Sequence, residues 1–300
     1  MRTRQRAAWP ASVPLNRHAS PPASVAPGQV AVTFIGHSTF LIRTAGCVMI
    51  TDPVFTTHAG PFGRLGPRRV RPPAIDPSAL PRVDVVLLSH NHYDHLQPAS
   101  LELFPEAQIV TTLGVGQYLP HRDLPPDKDL PPKGGSRLAS PHELDWWHSA
   151  RIGEAEITAV PAQHFSARTP WDRNKSLWCG FVVRVDGVTF YFAGDSGYSP
   201  QFAEIGARCP GIDVGLIPIG AYEPRWFMTP AHMNPDEAVR AHLDVRARVS
   251  IGMHFGTFQL TDEAIDEPIE ALQRACIVHG ISPDAFHTLE FGATEIVSAG

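Results

Sequence analysis

Along the chain, short apolar runs alternate with stretches rich in Gly and Pro, a rhythm that predicts many short strands. Residues 30–34, 40–43 and 48–51 read as successive strands separated by Gly and polar turns. Residues 53–81 form a connection rich in Pro, Gly and Arg, long enough to imply a functional role. Residues 83–88 are continuously apolar, as a strand buried on both faces should be. A short helix over 98–104, a strand over 108–112 and a surface loop over 119–136 follow. Residues 151–160, 181–185 and 188–192 read as strands, and Asp186-Gly187 between the last two is a hairpin signal. A strand over 214–218 precedes a helix over 235–243. That helix has Asn234 at its N-cap, Pro235 at its first position, and Asp236 and Glu237 in its first turn, where the dipole favours them. A strand over 248–253 and a helix over 262–279, closed by Gly280, complete the pattern.

Strands dominate both halves, with helices between them, which implies two packed sheets with helices outside. Residues 1–28, rich in Pro, Ala and Ser, read as a flexible or draped tail, and residues 29–300 as one domain. With 43% hydrophobic and 18% charged residues, the 300-residue chain can bury a substantial core. Its net charge of -5 argues against nucleic acid as a partner. The basic N-terminus is not followed by the apolar stretch of a secretory signal, and no apolar run is long enough to span a membrane. A cytoplasmic location is expected. Peripheral contact at the inner membrane face stays open, as does a homodimer. Cys47, Cys179, Cys209 and Cys276 form no C-x-x-C pair and read as buried free thiols.

The chemistry concentrates just after the apolar run at 83–88. Of fifteen histidines, three stand within six residues, as His90, His92 and His95, together with Asp94. Alternate positions of an extended chain point the same way, so His90 and His92 can converge on one ion. Asp94 and His95 can turn toward a second. Imidazole and carboxylate together suit zinc, and manganese, iron or nickel could also occupy such a site. This loop alone cannot complete two coordination shells. His164, Asp195 and His254 each follow an apolar strand and are candidates for the remaining ligands.

The order H-x-H-x-D-H, then His, then Gly-Asp, then His resembles the metallo-β-lactamase fold superfamily over residues 33 to about 292. That resemblance implies an α/β fold, the four-layer αβ/βα sandwich, with a dinuclear site at the sheet edges. It implies two Zn2+ ions. His90, His92 and His164 would hold one, Asp94, His95 and His254 the other, and Asp195 would bridge them. Flavodiiron members carry a glutamate where His92 stands, so the histidine favours hydrolysis over redox chemistry.

Several stretches resemble a narrower branch, N-acylphosphatidylethanolamine-hydrolysing phospholipase D and its bacterial relatives. They include Gly36-His37-Ser38-Thr39, Pro161-Ala162-Gln163-His164, Ala193-Gly194-Asp195-Ser196-Gly197-Tyr198 and the run from Ile217 through Tyr222-Glu223-Pro224-Arg225-Trp226-Phe227-Met228. This implies a phosphodiesterase of the phospholipase D type, acting on phospholipids or another small ester or phosphodiester through a metal-bridging hydroxide. Asp94 or Asp195 would orient the hydroxide, Tyr93 and His232 are candidate proton donors or oxyanion stabilisers, and Arg225 and Trp226 are candidate substrate contacts. Ala231-His232 departs from the Gln-His pair of the animal enzyme and removes the glutamine's role. Arg64, Arg68, Arg69 and Arg71 suit contact with phosphate, and Trp226, Phe227 and Met228 could line an acyl-chain groove. The rival enzymatic reading is a lactonase or a β-lactam or amide hydrolase acting on a small cyclic substrate. The acidic charge weighs against a nuclease, and the full ligand set against a non-catalytic scaffold.

Overall fold

The structure is a computed structural model and describes residues 5–119 and 140–300. Most of the loop expected at 119–136 lies outside the described residues. The first sheet is built from β1 (Gln29–Gly36), β2 (Thr39–Arg43), β3 (Val48–Thr51), β4 (Val85–Leu87), β5 (Gln108–Thr112) and β6 (His142–Leu144). The second is built from β7 (Ser149–Ile152), β8 (Ala155–Val160), β9 (Gly180–Val185), β10 (Val188–Phe192), β11 (Val214–Pro218), β12 (Val249–Met253) and β13 (Phe286–His287). The last strand, β14 (Thr294–Ser298), returns to the first sheet beside β1. Five helices accompany them among the described residues: α1 (Pro98–Leu101), α2 (Gln201–Arg208), α3 (Arg225–Met228), α4 (Pro235–Val245) and α5 (Glu267–His279).

The two sheets share one plan. In the first, β14, β1, β2 and β3 pair antiparallel, and β3 to β6 run parallel. In the second, β7 to β10 pair antiparallel, and β10 to β13 run parallel. The parallel strands are the continuously apolar ones, such as Val85-Val86-Leu87 and Val214-Gly215-Leu216-Ile217-Pro218, and all of these residues are buried. Side chains of the first sheet divide by the period of two. Phe34, Phe40, Ile42, Met49, Val85 and Leu87 face the core shared with the second sheet. Their neighbours Ile35, Leu41, Ile50, Val86 and Leu88 pack outward with Leu101, Leu103 and Phe104, around α1. The shared core extends to Phe202 and Ile205 of α2, Val239 of α4 and Leu272 of α5. The result is an α/β sandwich of four layers.

Asp186 and Gly187 both have positive φ, 51° and 80°, and make the β9–β10 turn that their sequence predicts. Asn234 caps α4 with a full capping box to Glu237. Three expectations change. The strand read over 151–160 is two strands, β7 and β8, joined at Gly153-Glu154, with Gly153 at φ 57°. The helix read from residue 262 begins at Glu267, because Glu263 turns inward and its carboxylate accepts the Ala221 N–H. The helix α2 has no counterpart in the sequence reading; it buries Phe202, Ile205 and Gly206. A Cβ on Gly206 would run into the Asp244 carbonyl of α4, so that glycine lets the two helices touch. Residues 5–28 carry no helix or strand and run against the domain. Ala7 N–H donates to Asp262, Val13 N–H to Val70 and the Trp9 indole to Glu263. All four cysteines are buried free thiols. No helix among the described residues is long and apolar enough to cross a membrane.

Gly206→Ala should destabilise the fold by about 1–3 kcal/mol, the usual cost of overpacking. Urea unfolding should show a lower midpoint with an unchanged slope. An unchanged midpoint would mean that the α2–α4 contact yields easily.

Candidate metal centre

The site lies where strands end. The first-sheet strand β4 runs out at Leu87 into the loop with His90, His92, Asp94 and His95, and β3 runs out into Asp52. In the second sheet, β8, β10 and β12 point the same way and lead to His164, Asp195 and His254. Within the first loop, His95 and Leu96 N–H both donate to the His92 carbonyl, a single turn that swings Asp94 and His95 away from the path of His92. A register shift between Phe34 and Gly36 precedes His37, in the turn joining β1 to β2. His37 and His254 both have left-handed backbones, φ 58° and 63°, which costs roughly 1–3 kcal/mol each. The His254 N–H donates to the His37 carbonyl and ties these two strained residues together.

Four overlapping groups of side chains could each hold a cation among the described residues, and two of them, His90-His92-His164 and His37-Asp94-His95-His254, share no residue. In the first, His92 Nδ1 is 2.9 Å from His90 Nε2 and 3.1 Å from His164 Nε2. Bonds of about 2.0 Å to a tetrahedral zinc would put such nitrogens about 3.3 Å apart, close to this spacing. The second comprises Asp94, His95, His254 and His37. Asp94 Oδ2 is 3.0 Å from His37, 3.3 Å from His254 and 3.6 Å from His95. Asp195 stands between the groups. Its Oδ2 lies 3.0 Å from both His95 and His254, 3.8 Å from His164 and 4.0 Å from His90. Asp195 Oδ1 is buried without a hydrogen-bond partner, as a donor atom facing a cation would be.

Outer hydrogen bonds aim these lone pairs inward. Asp52 Oδ2 accepts from His95 Nδ1 at 2.6 Å and from Ser89 Oγ at 2.5 Å, and that hydroxyl accepts from His90 Nδ1 at 2.8 Å. His164 Nδ1 donates to the Ala231 carbonyl at 3.0 Å. With Nδ1 protonated in each, Nε2 keeps its lone pair for the cavity. Neither Asp52 nor His37 was singled out in the sequence as a functional residue. Each does follow a strand beside a Pro or Gly, the same signal that marks the candidate ligands.

Burial lowers the pKa of His92 to about 4 and those of His164 and His232 to about 3; it also takes His90 well below the usual value. These rings are neutral at pH 7. For His254 burial pulls the same way, but the Asp195 carboxylate outweighs it and raises the pKa to about 9. His95 is likewise raised well above its usual value, with Asp195 and Asp94 overcoming burial. Without a cation, protons on these two rings balance the carboxylates.

Asp94 and His232 lie within the cluster. His232 is buried, with Nδ1 4.0 Å from Asp195 Oδ2. Other expected site residues are engaged elsewhere. The Tyr93 hydroxyl donates to the Arg168 carbonyl at 3.2 Å. The Arg225 guanidinium, expected at the substrate, donates to the Tyr222 and His232 carbonyls and to Glu237 at 2.7 Å, so it orders the chain around His232. Trp226 and Phe227 are 61% and 65% exposed and pack on each other, outside the core. Arg69 and Arg71 donate to backbone carbonyls and lie over Phe258 and Phe291.

A family model described as a Beta-lactamase superfamily domain matches residues 49–255. The chain belongs to the beta-lactamase superfamily. It is 40% identical over 253 residues to an uncharacterized protein of Mycobacterium tuberculosis, covering 82% of this chain and 64% of that one. The chain thus spans less than two thirds of that relative's length. It is 38% identical over 251 residues to the N-acyl-phosphatidylethanolamine-hydrolyzing phospholipase D 1 of Caenorhabditis elegans, covering 80% of this chain and 68% of the worm protein. The crystal structure of an isothiocyanate hydrolase from Delia radicum gut bacteria superposes with a TM-score of 0.66 at 18% identity. It covers 90% of this chain and 100% of the other, a likeness of superfamily fold alone.

A cation entering this cluster must displace the protons on His95 and His254, so its affinity should strengthen as pH rises from 6 toward about 9. Zinc titrations in buffers of different ionisation enthalpy should register that proton release, and a pH-independent affinity would contradict it. Asp52→Asn should weaken zinc binding about 10–100-fold, since it removes the carboxylate that orients two histidines. Competition with a chromophoric chelator measures this, and an unchanged affinity would dismiss the role of Asp52.

Proposed function

We propose that the chain is a zinc-dependent phosphodiesterase of the phospholipase D type, cleaving N-acylphosphatidylethanolamine-like phospholipids. The observation that carries the hydrolytic part is the convergence of two donor groups on one buried carboxylate, Asp195. The likeness to the worm phospholipase supports the substrate class. His90, His92 and His164 are assigned to one zinc, Asp94, His95 and His254 to the other, and Asp195 to both. When bound, such a pair supplies hydroxide at neutral pH and neutralises charge on the phosphoryl oxygens.

The protein's own groups do the rest. A carboxylate of the cluster, Asp94 or Asp195, orients the attacking water by accepting its hydrogen bond. His37 Nε2 donates to Asp94 and holds that carboxylate in place. His232 is neutral and buried, so it acts as a hydrogen-bond donor toward the departing oxygen and not as a fixed charge. Hydrogen-bond donation to the departing oxygen falls to His232 in preference to Tyr93, whose hydroxyl is engaged with the Arg168 carbonyl, and the departing oxygen takes its proton from solvent water. Exposed Trp226 and Phe227, a few residues before His232, are suited to peripheral contact with a lipid surface.

The test is a side-by-side assay of zinc-loaded protein on N-acylphosphatidylethanolamine vesicles, bis(p-nitrophenyl) phosphate, a lactone and nitrocefin. Selective turnover of the lipid is expected. His90→Ala and Asp195→Asn should each lower it by more than about a hundredfold, beyond the loss typical of an outer-shell partner. Activity confined to the lactone or nitrocefin would overturn the phosphodiesterase assignment.

A further inference from the structure

Arg168 lies four residues beyond His164, and the proposed reaction gives it no part. Its Nη1 donates to the Asn91 carbonyl at 2.7 Å and to the Leu96 carbonyl at 2.8 Å. Those two carbonyls bracket His92, Asp94 and His95. The guanidinium also lies 3.9 Å over the Tyr93 ring, in the middle of the same loop, and the Tyr93 hydroxyl returns a bond to the Arg168 carbonyl. The Arg168 end is fixed in turn. Asp172 Oδ1 accepts from the Arg168 N–H at 2.9 Å and the Thr169 N–H at 2.7 Å, while its Oδ2 accepts from the Tyr118 hydroxyl.

We propose that Arg168 is a positioning residue of the metal centre, tying the loop that carries His164 to the loop that carries His90, His92, Asp94 and His95. The two loops come from different sheets, and the first donor group needs both, because His164 Nε2 must meet His92 Nδ1. One side chain that grips both ends of the first loop, stacks on its middle and descends from the second fixes their separation. A planar guanidinium can do all three at once, whereas a lysine ammonium offers neither the flat face nor the same fork of donors. The loop's own turn, closed on the His92 carbonyl, sets its shape but not its distance from His164.

This inference rests on the metal centre proposed above, and its test separates the two. Zinc affinity is measured by chelator competition for the wild-type protein and Arg168→Lys, with the absorption spectrum of each cobalt-loaded form and the melting temperature of each metal-free form. Wild-type protein is expected to bind, and Arg168→Lys about 10–100-fold more weakly with an altered cobalt spectrum. A wild type that binds no zinc overturns the metal centre itself. A lysine variant with wild-type affinity and spectrum overturns only the role of Arg168, including where its melting temperature falls, since that marks plain structural support. Should Arg168→Lys fail to fold, Asp172→Ala decides. It releases the anchor of Arg168, and a loss of about fivefold in affinity, the worth of one hydrogen bond, supports the role. Unchanged affinity in that variant overturns it.

Discussion

The carboxylate of Asp195 is almost fully buried, and the rings of His90, His95, His164, His232 and His254 all come within 4.0 Å of one of its oxygens. A charge so placed must be balanced within the cavity, because water cannot do it. Protons on His95 and His254 balance it, and cations on the same nitrogens could do so in their place. The rest of the site follows from that constraint. Rings that must present lone pairs inward need fixed acceptors behind them. Asp52 serves His95 directly and His90 through Ser89, and the Ala231 carbonyl serves His164. The left-handed backbones of His37 and His254 are held to each other by the His254 N–H, which donates to the His37 carbonyl.

The sandwich supplies the geometry that this constraint demands. Parallel strands in both sheets end at one edge, so side chains far apart in sequence arrive together without long excursions of the chain. The apolar faces behind them, with Phe34, Phe40, Phe181 and Tyr191 fully buried, hold those ends rigid. The connection from Ala221 to His232 completes the surround. Glu263 holds the Ala221 and Glu223 N–H groups, Arg225 reaches back to the His232 carbonyl, and Ala231 fixes the His164 tautomer. At Ala231 it is the backbone carbonyl, not the side chain, that takes part in the site.

Much of this was legible in the sequence because the signal is local. A run such as Val85-Val86-Leu87 followed within a few residues by His90 states both the strand and what its end carries. The β9–β10 turn and the cap of α4 were legible for the same reason. What could not be read depends on register. Asp52 matters only because β3 pairs with β4 so that Thr51 lies beside Leu87, which places the Asp52 carboxylate against Ser89. The role of Gly206 emerges only when α4 is seen against it. In a linear text Arg225 reads as a substrate contact and Tyr93 as a donor or oxyanion stabiliser, and their partners, Glu237, the His232 carbonyl and the Arg168 carbonyl, emerge only from the fold.

The central claim is that one buried carboxylate sits between two cation sites. The most direct measurement is metal stoichiometry, by elemental analysis and native mass spectrometry, of zinc-loaded protein dialysed at pH 8. Two equivalents per chain are expected for the wild type, with fewer for His164→Ala and for Asp195→Asn. A wild-type chain that retains no zinc, or a single ion indifferent to both substitutions, would contradict the account.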